Sequence, residues 1–153
     1  MNILLVIDLQ KEFYVKGEYE RLIQYIKDHR EKYDKVIATV FKNYPYKYNN
    51  FHRKLQYNGC QDAGKTSIEF PADVVYVKDT YAAPVDLLCK HGDHITVIGC
   101  DTDACVLATL FRLFDAGYDF EVLENYCYSS GGRAYSDAAW EIIQRDIQKE
   151  EPE

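Results

Sequence analysis

The chain has 153 residues, of which 47% are hydrophobic and 28% are charged. This length suits one compact domain, so a single domain over residues 1–153 is predicted. The formal charge of −7 argues against nucleic acid as a partner, because phosphate binding needs a basic surface. No run approaches the roughly 18 apolar residues of a membrane span, and Met1 leads straight into an apolar run without a charged leader. We therefore expect a cytoplasmic protein with no membrane partner.

The cysteines predict free thiols. Their number is odd and no two are spaced as CxxC, so neither a disulfide framework nor a zinc motif is indicated. The five are Cys60, Cys89, Cys100, Cys105 and Cys127.

Five short runs rich in β-branched and aromatic residues predict buried strands. In chain order these runs cover residues 2–8, 36–41, 74–78, 95–99 and 120–123. Apolar residues at helical spacing lie between them, around Leu22, Leu88 and Leu110. A last helix is predicted from about Tyr135. Its inner face is predicted to comprise Ala138, Ala139, Ile142, Ile143 and Ile147.

Strands that are apolar on both faces and alternate with helices predict βαβ units. The expected fold class is a Rossmann-like three-layer α/β/α sandwich with a mostly parallel sheet of about five strands. In such sheets ligands bind beyond the carboxyl ends of the strands, where the strand order reverses. The long connection 42–73 exceeds an ordinary loop, and a lid and a subunit contact both explain its length.

Reactive side chains follow three of the predicted strands. Asp8 ends the first, Lys78 ends the third, and Cys105 stands at the start of a helix after the fourth. A helix N-terminus and a nearby ammonium both favour a thiolate, so Cys105 has the setting of a nucleophile. Taken singly, Asp8 could cap a helix, Lys78 could lie on the surface, and Cys105 could be a buried apolar thiol.

Three stretches resemble the isochorismatase-like cysteine hydrolase family, which includes nicotinamidases, carbamoyl-amine hydrolases and ureidoacrylate hydrolases. The first is Asp8-Leu9-Gln10 followed by Phe13, and the second is Lys78 at the end of the third strand. The third is the run from Gly99 through Asp101 to Cys105 and Val106. Their order and spacing agree with the family over nearly the whole chain.

The resemblance implies a catalytic triad of Asp8, Lys78 and Cys105. Cys105 would attack a carbonyl carbon, Asp8 would take its proton, and Lys78 would stabilise the charges. The backbone N–H groups of Asp101 and Cys105 would form the oxyanion hole, beside a cis peptide between Cys100 and Asp101. In substrate binding, Gln10 would orient the substrate or Asp8, and Phe13 would be a pocket wall or core packing.

Two departures from family patterns narrow the expected chemistry. Nicotinamidases carry an Asp-x-His motif and a further histidine that hold a metal, whereas residues 39–43 lack that motif and His52 is the one histidine of the connection. Isochorismatase itself cleaves a vinyl ether without using the cysteine. We therefore predict no metal and no cofactor, with hydrolysis of a small amide, carbamoyl or ureido C–N bond through a thioester.

The alternatives are a nicotinamidase and a non-catalytic binding protein that retains the fold. Longer relatives continue into a sixth strand, so five strands are expected here, and the exposed edge or the long connection favours a homo-oligomer. A cluster of basic residues in that connection could attract an anionic substrate, but a solvated face is the preferred interpretation. The cluster comprises Lys42, Lys47, His52, Arg53 and Lys54.

Overall fold

A computed structural model describes residues 1–149 of the chain. The strands are β1 (Asn2–Ile7), β2 (Lys35–Phe41), β3 (Val74–Lys78), β4 (His94–Cys100) and β5 (Asp119–Tyr128). The helices are α1 (Glu18–His29), α2 (Asn50–Arg53), α3 (Val85–Leu88), α4 (Leu107–Asp115) and α5 (Arg133–Asp146). A π-helical turn, Thr102–Val106, directly precedes α4.

The five strands form one parallel sheet in the order β3-β2-β1-β4-β5. Successive β1 side chains point to opposite faces, so Leu4 and Val6 join a core with α1, while Ile3 and Leu5 join a core with α4 and α5. The predicted three-layer fold is thereby confirmed. The strand order reverses between β1 and β4, whose carboxyl ends therefore frame the expected ligand site.

Gly99 allows β4 to approach β1 closely just before residues 101–106, which we call the nucleophile turn after the predicted role of Cys105. Its φ is +133°, and a Cβ at this position would lie 2.2 Å from the backbone oxygen of Ile7. A side chain would clash with main chain that cannot move aside. Glycine is therefore required for the close pairing of these two strands.

β5 is longer than the predicted run 120–123. Its pairing with β4 jumps from Val97 opposite Val122 to Gly99 opposite Cys127, which leaves the polar residues Glu124 and Asn125 in an irregular stretch. This polar interruption hid the second half of the strand from the sequence pattern. Cys127 lies beyond the predicted run 120–123 but within the strand.

The inner face of α5 differs from the prediction. Ala139 and Ile143 are buried as expected and Ile147 packs against the core, but Ile142 is 38% exposed. Ala138 is also exposed. Trp140 takes the neighbouring buried position. Packing against the sheet determined which side of the helix faces inwards, and the aliphatic residues alone did not reveal it.

The long connection from residue 42 to residue 73 is held together by asparagine side chains. Asn43 donates to the backbone oxygens of Tyr57 and Gly59, and Asn49 caps α2 by accepting from the N–H of Phe51. Cys60 and Ala63 pack against the end of β2. The connection is thus fixed against the carboxyl edge of the sheet.

In the described part of the chain, residues 1–149, no helix is long and apolar enough to cross a membrane.

Candidate active site

Asp8 is held in a strained backbone conformation just beyond β1, with φ +49° and no exposed surface. Its N–H donates to the hydroxyl of Thr39 at 3.1 Å, and that hydroxyl donates back to Asp8 Oδ1 at 2.7 Å. The exchange fixes the carboxylate and leaves Oδ2 for another donor. Sequence reasoning missed Thr39. Its one signal was that it is a polar residue within an apolar strand.

Lys78 ends β3 and reaches Asp8 across the end of β2. Its Nζ lies 2.8 Å from Asp8 Oδ2 and 3.6 Å from Cys105 Sγ. It also donates to the backbone oxygens of Thr80 and Tyr81. Although burial opposes the charge, the Asp8 carboxylate and the Cys105 sulfur outweigh it and raise the pKa of Lys78. The ammonium is thus preserved in the interior.

Cys105 lies in the π-helical turn before α4, with only 8% of its surface exposed. Burial raises the pKa of its thiol well above the ordinary value, Asp8 adds to that increase, and Lys78 opposes it. The argument from the helix N-terminus, which predicted a favoured thiolate, is therefore wrong for the resting site. The reason is that a second anion beside Asp8 would face only one buried ammonium.

The predicted cis peptide between Cys100 and Asp101 is confirmed. The turn that follows is fixed by serines after β5, since the carboxylate of Asp101 accepts from both the N–H and the hydroxyl of Ser130 at 2.8 Å. The hydroxyl of Ser129 donates to the carboxylate of Asp103 at 2.6 Å. Sequence analysis did not link these serines to the nucleophile turn, because they lie more than 20 residues away in the chain.

The predicted oxyanion donors, the backbone N–H groups of Asp101 and Cys105, belong to this turn. Their role stays a prediction.

Gln10 and Phe13 occupy different places. The amide of Gln10 is fully buried and exchanges hydrogen bonds with the backbone of Phe41, accepting at 2.7 Å and donating at 3.0 Å. It joins the ends of β1 and β2 behind the cavity, a position that fits an orienting role better than substrate contact. Phe13 is half-buried, lines the cavity and also packs against the core, so both predicted roles apply to it.

A cavity of about 420 Å³ opens above Cys105. Its apolar wall consists of Phe13, Phe41, Phe51, Leu55, Tyr57 and Tyr81. Glu12, Asp101 and Ser130 supply polar surface. Phe51, Leu55 and Tyr57 come from the long connection, so this segment builds one side of the site. Cys105 is exposed to the cavity, while Asp8 and Lys78 lie buried behind it.

Comparison with known proteins gives the family. The isochorismatase domain model matches residues 2–148. The chain belongs to the isochorismatase domain family. No curated protein sequence matches the chain.

Solved structures of isochorismatase-like proteins share the fold. A nicotinamidase from Bacillus subtilis has a TM-score of 0.70 at 17% identity, covering 96% of this chain and 97% of the other. An isochorismatase-like hydrolase from Alkaliphilus metalliredigens has a TM-score of 0.74 at 16% identity, covering 96% and 92%. A pyrazinamidase of Pyrococcus horikoshii in complex with zinc has a TM-score of 0.68 at 19% identity, covering 94% of each chain.

The donor set of this isochorismatase family member does not fit a metal centre. Among residues 1–149, no three or more histidine, cysteine, aspartate or glutamate side chains are grouped so that they could hold an ion. His52 instead contacts the amide oxygen of Asn58 at 3.0 Å. No step in the proposed chemistry passes through a metal.

A larger cavity of about 560 Å³ lies on the other side of the nucleophile turn, between Arg21 and Trp140. Thr102 and Ser136 line this cavity, whereas Asp8, Lys78 and Cys105 do not. We place the proposed chemistry in the smaller cavity, because Cys105, the thiol next to Lys78, lines that one, whereas the cysteine of the larger cavity is Cys127 on β5.

Proposed function

We propose that the chain is a hydrolase of small amide-like C–N bonds that works through a thioester on Cys105. One observation carries the proposal: the ammonium of Lys78 lies between the carboxylate of Asp8, at 2.8 Å, and the sulfur of Cys105, at 3.6 Å. This arrangement suits acyl transfer, because it places a nucleophile, a base and a cation in contact at the floor of a cavity. Membership of the isochorismatase domain family supports hydrolysis.

In the first half of the reaction, the sulfur of Cys105 attacks the carbonyl carbon while its proton passes to the carboxylate of Asp8. The raised thiol pKa makes this transfer necessary, because a free thiolate is scarce at rest. Lys78 keeps its charge and compensates the negative charge as it moves from Asp8 to the substrate. The backbone N–H groups of Asp101 and Cys105 would hold the oxyanion, each contributing about 3 kcal/mol.

In the second half, Asp8 returns the proton to the departing nitrogen, and the C–N bond breaks to leave a thioester. Water then enters and gives a proton to Asp8 as its oxygen attacks the thioester carbon. The C–S bond breaks, the sulfur regains its proton, and the acid is released. One water is consumed, and an amide yields an acid and ammonia or an amine.

Nicotinamide is a specific candidate within this class. Several solved structures with this fold are nicotinamidases, and the aromatic wall of the cavity suits a flat ring. The donor set does not fit the metal that nicotinamidases use, so a simple amide, carbamoyl or ureido compound is preferred. A non-catalytic binding role is less favoured, because binding needs no buried nucleophile beside a base.

The test is incubation with a panel of small amides and ureas, including nicotinamide, while ammonia release and intact mass are followed. We expect ammonia from at least one member and a mass increase on Cys105. Cys105→Ala should abolish both signals. Cys89→Ala is the matched control, because Cys89 is also 8% exposed but does not line the cavity.

Undiminished turnover in Cys105→Ala would refute the thioester. Metal analysis of the active protein distinguishes a nicotinamidase-like mechanism, since stoichiometric metal with activity lost on chelation would contradict the prediction of no metal.

A further inference from the structure

The polar surface of the cavity above Cys105 is acidic. Glu12 and Asp101 contribute carboxylates, and among the cavity-lining residues that the structure describes there is no lysine or arginine. The charge acts on neighbouring groups: Glu12 and Asp101 both raise the pKa of Cys60 and of Tyr57, adding to the effect of burial. Lys78, which lies next to Cys105, is buried and already paired with Asp8.

The carboxylate of Glu12 is held in place by neutral donors. Gln10 Nε2 donates to Oε1 at 3.1 Å, and Ser67 Oγ donates to Oε2 at 3.1 Å. Neither donor carries a charge, so the negative charge of Glu12 is positioned without being neutralised by them. Asp101 is held in the same manner by the N–H and hydroxyl of Ser130.

Aromatic rings form most of the remaining wall of the cavity. Phe51 stands between Phe41 and Tyr81, at centroid distances of 4.7 and 4.8 Å with edge-to-face geometry. The negative faces of such rings attract a cation that has been removed from water. An acidic group beside an aromatic wall is a complement to an organic cation.

No basic residue of the long connection, all of which the structure describes, lines the cavity. Lys47 and Arg53 lie over the ring of Tyr48, which is 65% exposed, and Lys42 lies over Tyr44. Lys47 and Arg53 are exposed, as the solvated-face interpretation expects, and Lys42 is half-buried. An anionic substrate would find no cation among the described residues that line the cavity.

We propose that the substrate is a small amide carrying a fixed positive charge, with its carbonyl at Cys105 and its cationic end between Glu12 and the rings of Phe51 and Tyr81. This inference rests on the proposed hydrolase function and specifies its substrate class. Quaternary ammonium groups suit the site, because they have an apolar surface for the rings and a charge for the carboxylate.

The test compares two amides of the same shape. Trimethylammonioacetamide and 3,3-dimethylbutanamide differ in one atom, a quaternary nitrogen in place of a quaternary carbon. We expect kcat/KM to be about tenfold higher for the cationic amide, the size of a partly desolvated cation–π and ionic contact. Equal rates, or a preference for the neutral amide, would overturn the proposal and leave the hydrolase function intact.

Variants locate the effect. Glu12→Gln should bring the ratio of the two kcat/KM values close to one, and Phe51→Leu should lower it in part. Glu31→Gln is the control, because it removes one exposed charge near the start of β2, at the opposite edge of the sheet. An equal fall in the ratio for Glu31→Gln would assign the preference to net charge and reject the site.

If neither amide is turned over, a binding measurement tests the cation site. Tetramethylammonium chloride is titrated into Cys105→Ala at constant ionic strength, with the aromatic resonances of the cavity followed by NMR. Saturable shifts that are absent from the double variant Glu12→Gln/Cys105→Ala support the cation site. Absence of shifts overturns it, whereas failure of the hydrolase proposal is seen separately, as no turnover across the amide panel.

Discussion

At the scale of single residues, the site depends on how one negative charge is shared. Asp8 and Lys78 form a buried ion pair, and the carboxylate of Asp8 raises the pKa of the Cys105 thiol while Lys78 lowers it. Two anions beside one buried ammonium would be costly, so in the proposed mechanism the sulfur attacks as Asp8 accepts its proton.

This coupling predicts opposite effects of two substitutions on alkylation of Cys105. Asp8→Asn removes an anion that raises the thiol pKa, so labelling by iodoacetamide at pH 8 should become faster even though turnover is lost. Lys78→Met removes the opposing cation and should slow labelling. In the wild type the rate should still be rising above pH 9, since the folded pKa lies above the ordinary value.

The rates are read by mass spectrometry of the Cys105 peptide. Cys89, whose pKa is raised by burial to about 11, is the internal reference. A wild-type labelling rate that stops rising below pH 8 would contradict a raised pKa for the Cys105 thiol.

Thr39 carries a second prediction at this scale. Thr39→Val keeps the shape but leaves the Asp8 N–H and Oδ1 without the hydroxyl that now serves both. We expect about a tenfold lower kcat with little change in KM, and a loss of about 1–3 kcal/mol in the free energy of unfolding. Thr39→Ser keeps the hydroxyl and should retain most of the wild-type kcat and most of the free energy of unfolding. Steady-state kinetics and urea unfolding provide the measurements, and a fully active Thr39→Val would exclude the positioning role.

At the scale of elements, short features place the chemistry. β1 and β4 adjoin at the strand-order reversal, Gly99 permits their close approach, and the π-helical turn presents Cys105 before α4 begins. α5 then packs against this turn through Trp140 and Ile143. The order of elements brings the site together, and the packing of α5 secures the nucleophile turn.

Two adjacent isoleucines of α5 test which face is inner. Ile143 is fully buried, so Ile143→Ala should lower the free energy of unfolding by about 2–5 kcal/mol. Ile142 is 38% exposed, and the same truncation there should cost less than about 1 kcal/mol. Urea unfolding of both variants makes the comparison. An equal loss of unfolding free energy in the two variants would indicate that Ile142 is buried as well, as the sequence predicted.

At the scale of the whole molecule, the two edges of the sheet have different tasks. The carboxyl edge holds the buried side chains of Asp8, Lys78 and Cys105 and the acidic cavity, whereas the amino edge holds partly exposed ion pairs such as Arg30–Asp73 and His94–Asp119. Exposed pairs contribute little stability, so substitutions in these pairs should change the free energy of unfolding only slightly. The predicted homo-oligomer stays a prediction, which sedimentation velocity would test.

His94 gives a pH dependence at the amino edge. Its hydrogen bond to Asp119 at 3.0 Å, aided by Glu121, raises its pKa above 6.5. Because the pKa of His94 is higher in the folded chain than in the unfolded chain, protonated His94 stabilises the fold. This stabilisation is complete below the ordinary pKa and is lost as the pH rises through the pKa of the folded chain. The side chain is 40% exposed, so solvent screening limits the contribution to less than about 1 kcal/mol.

The free energies of unfolding of wild type and His94→Gln should therefore differ at about pH 6 and converge by about pH 9. A difference that grows with pH would contradict the assigned sign.

The sequence by itself determined the fold class and the family. Alternating apolar runs and helical periodicity are local properties, and Asp8, Lys78 and Cys105 follow strands, which in a parallel sheet end at one edge. Only the tertiary structure decided the partners of these groups. Thr39 and Ser130 act on Asp8 and Asp101 from distant parts of the chain, and no local pattern records such contacts.

Protonation also depended on tertiary structure. Helix position favoured a thiolate at Cys105, but burial next to Asp8 reverses this in the resting state, since desolvation and neighbouring charges are fixed only when the chain folds. The same holds for the cavity. Glu12, Phe51 and Tyr81 are separated in sequence, and packing of the long connection against the sheet edge brings them to one wall.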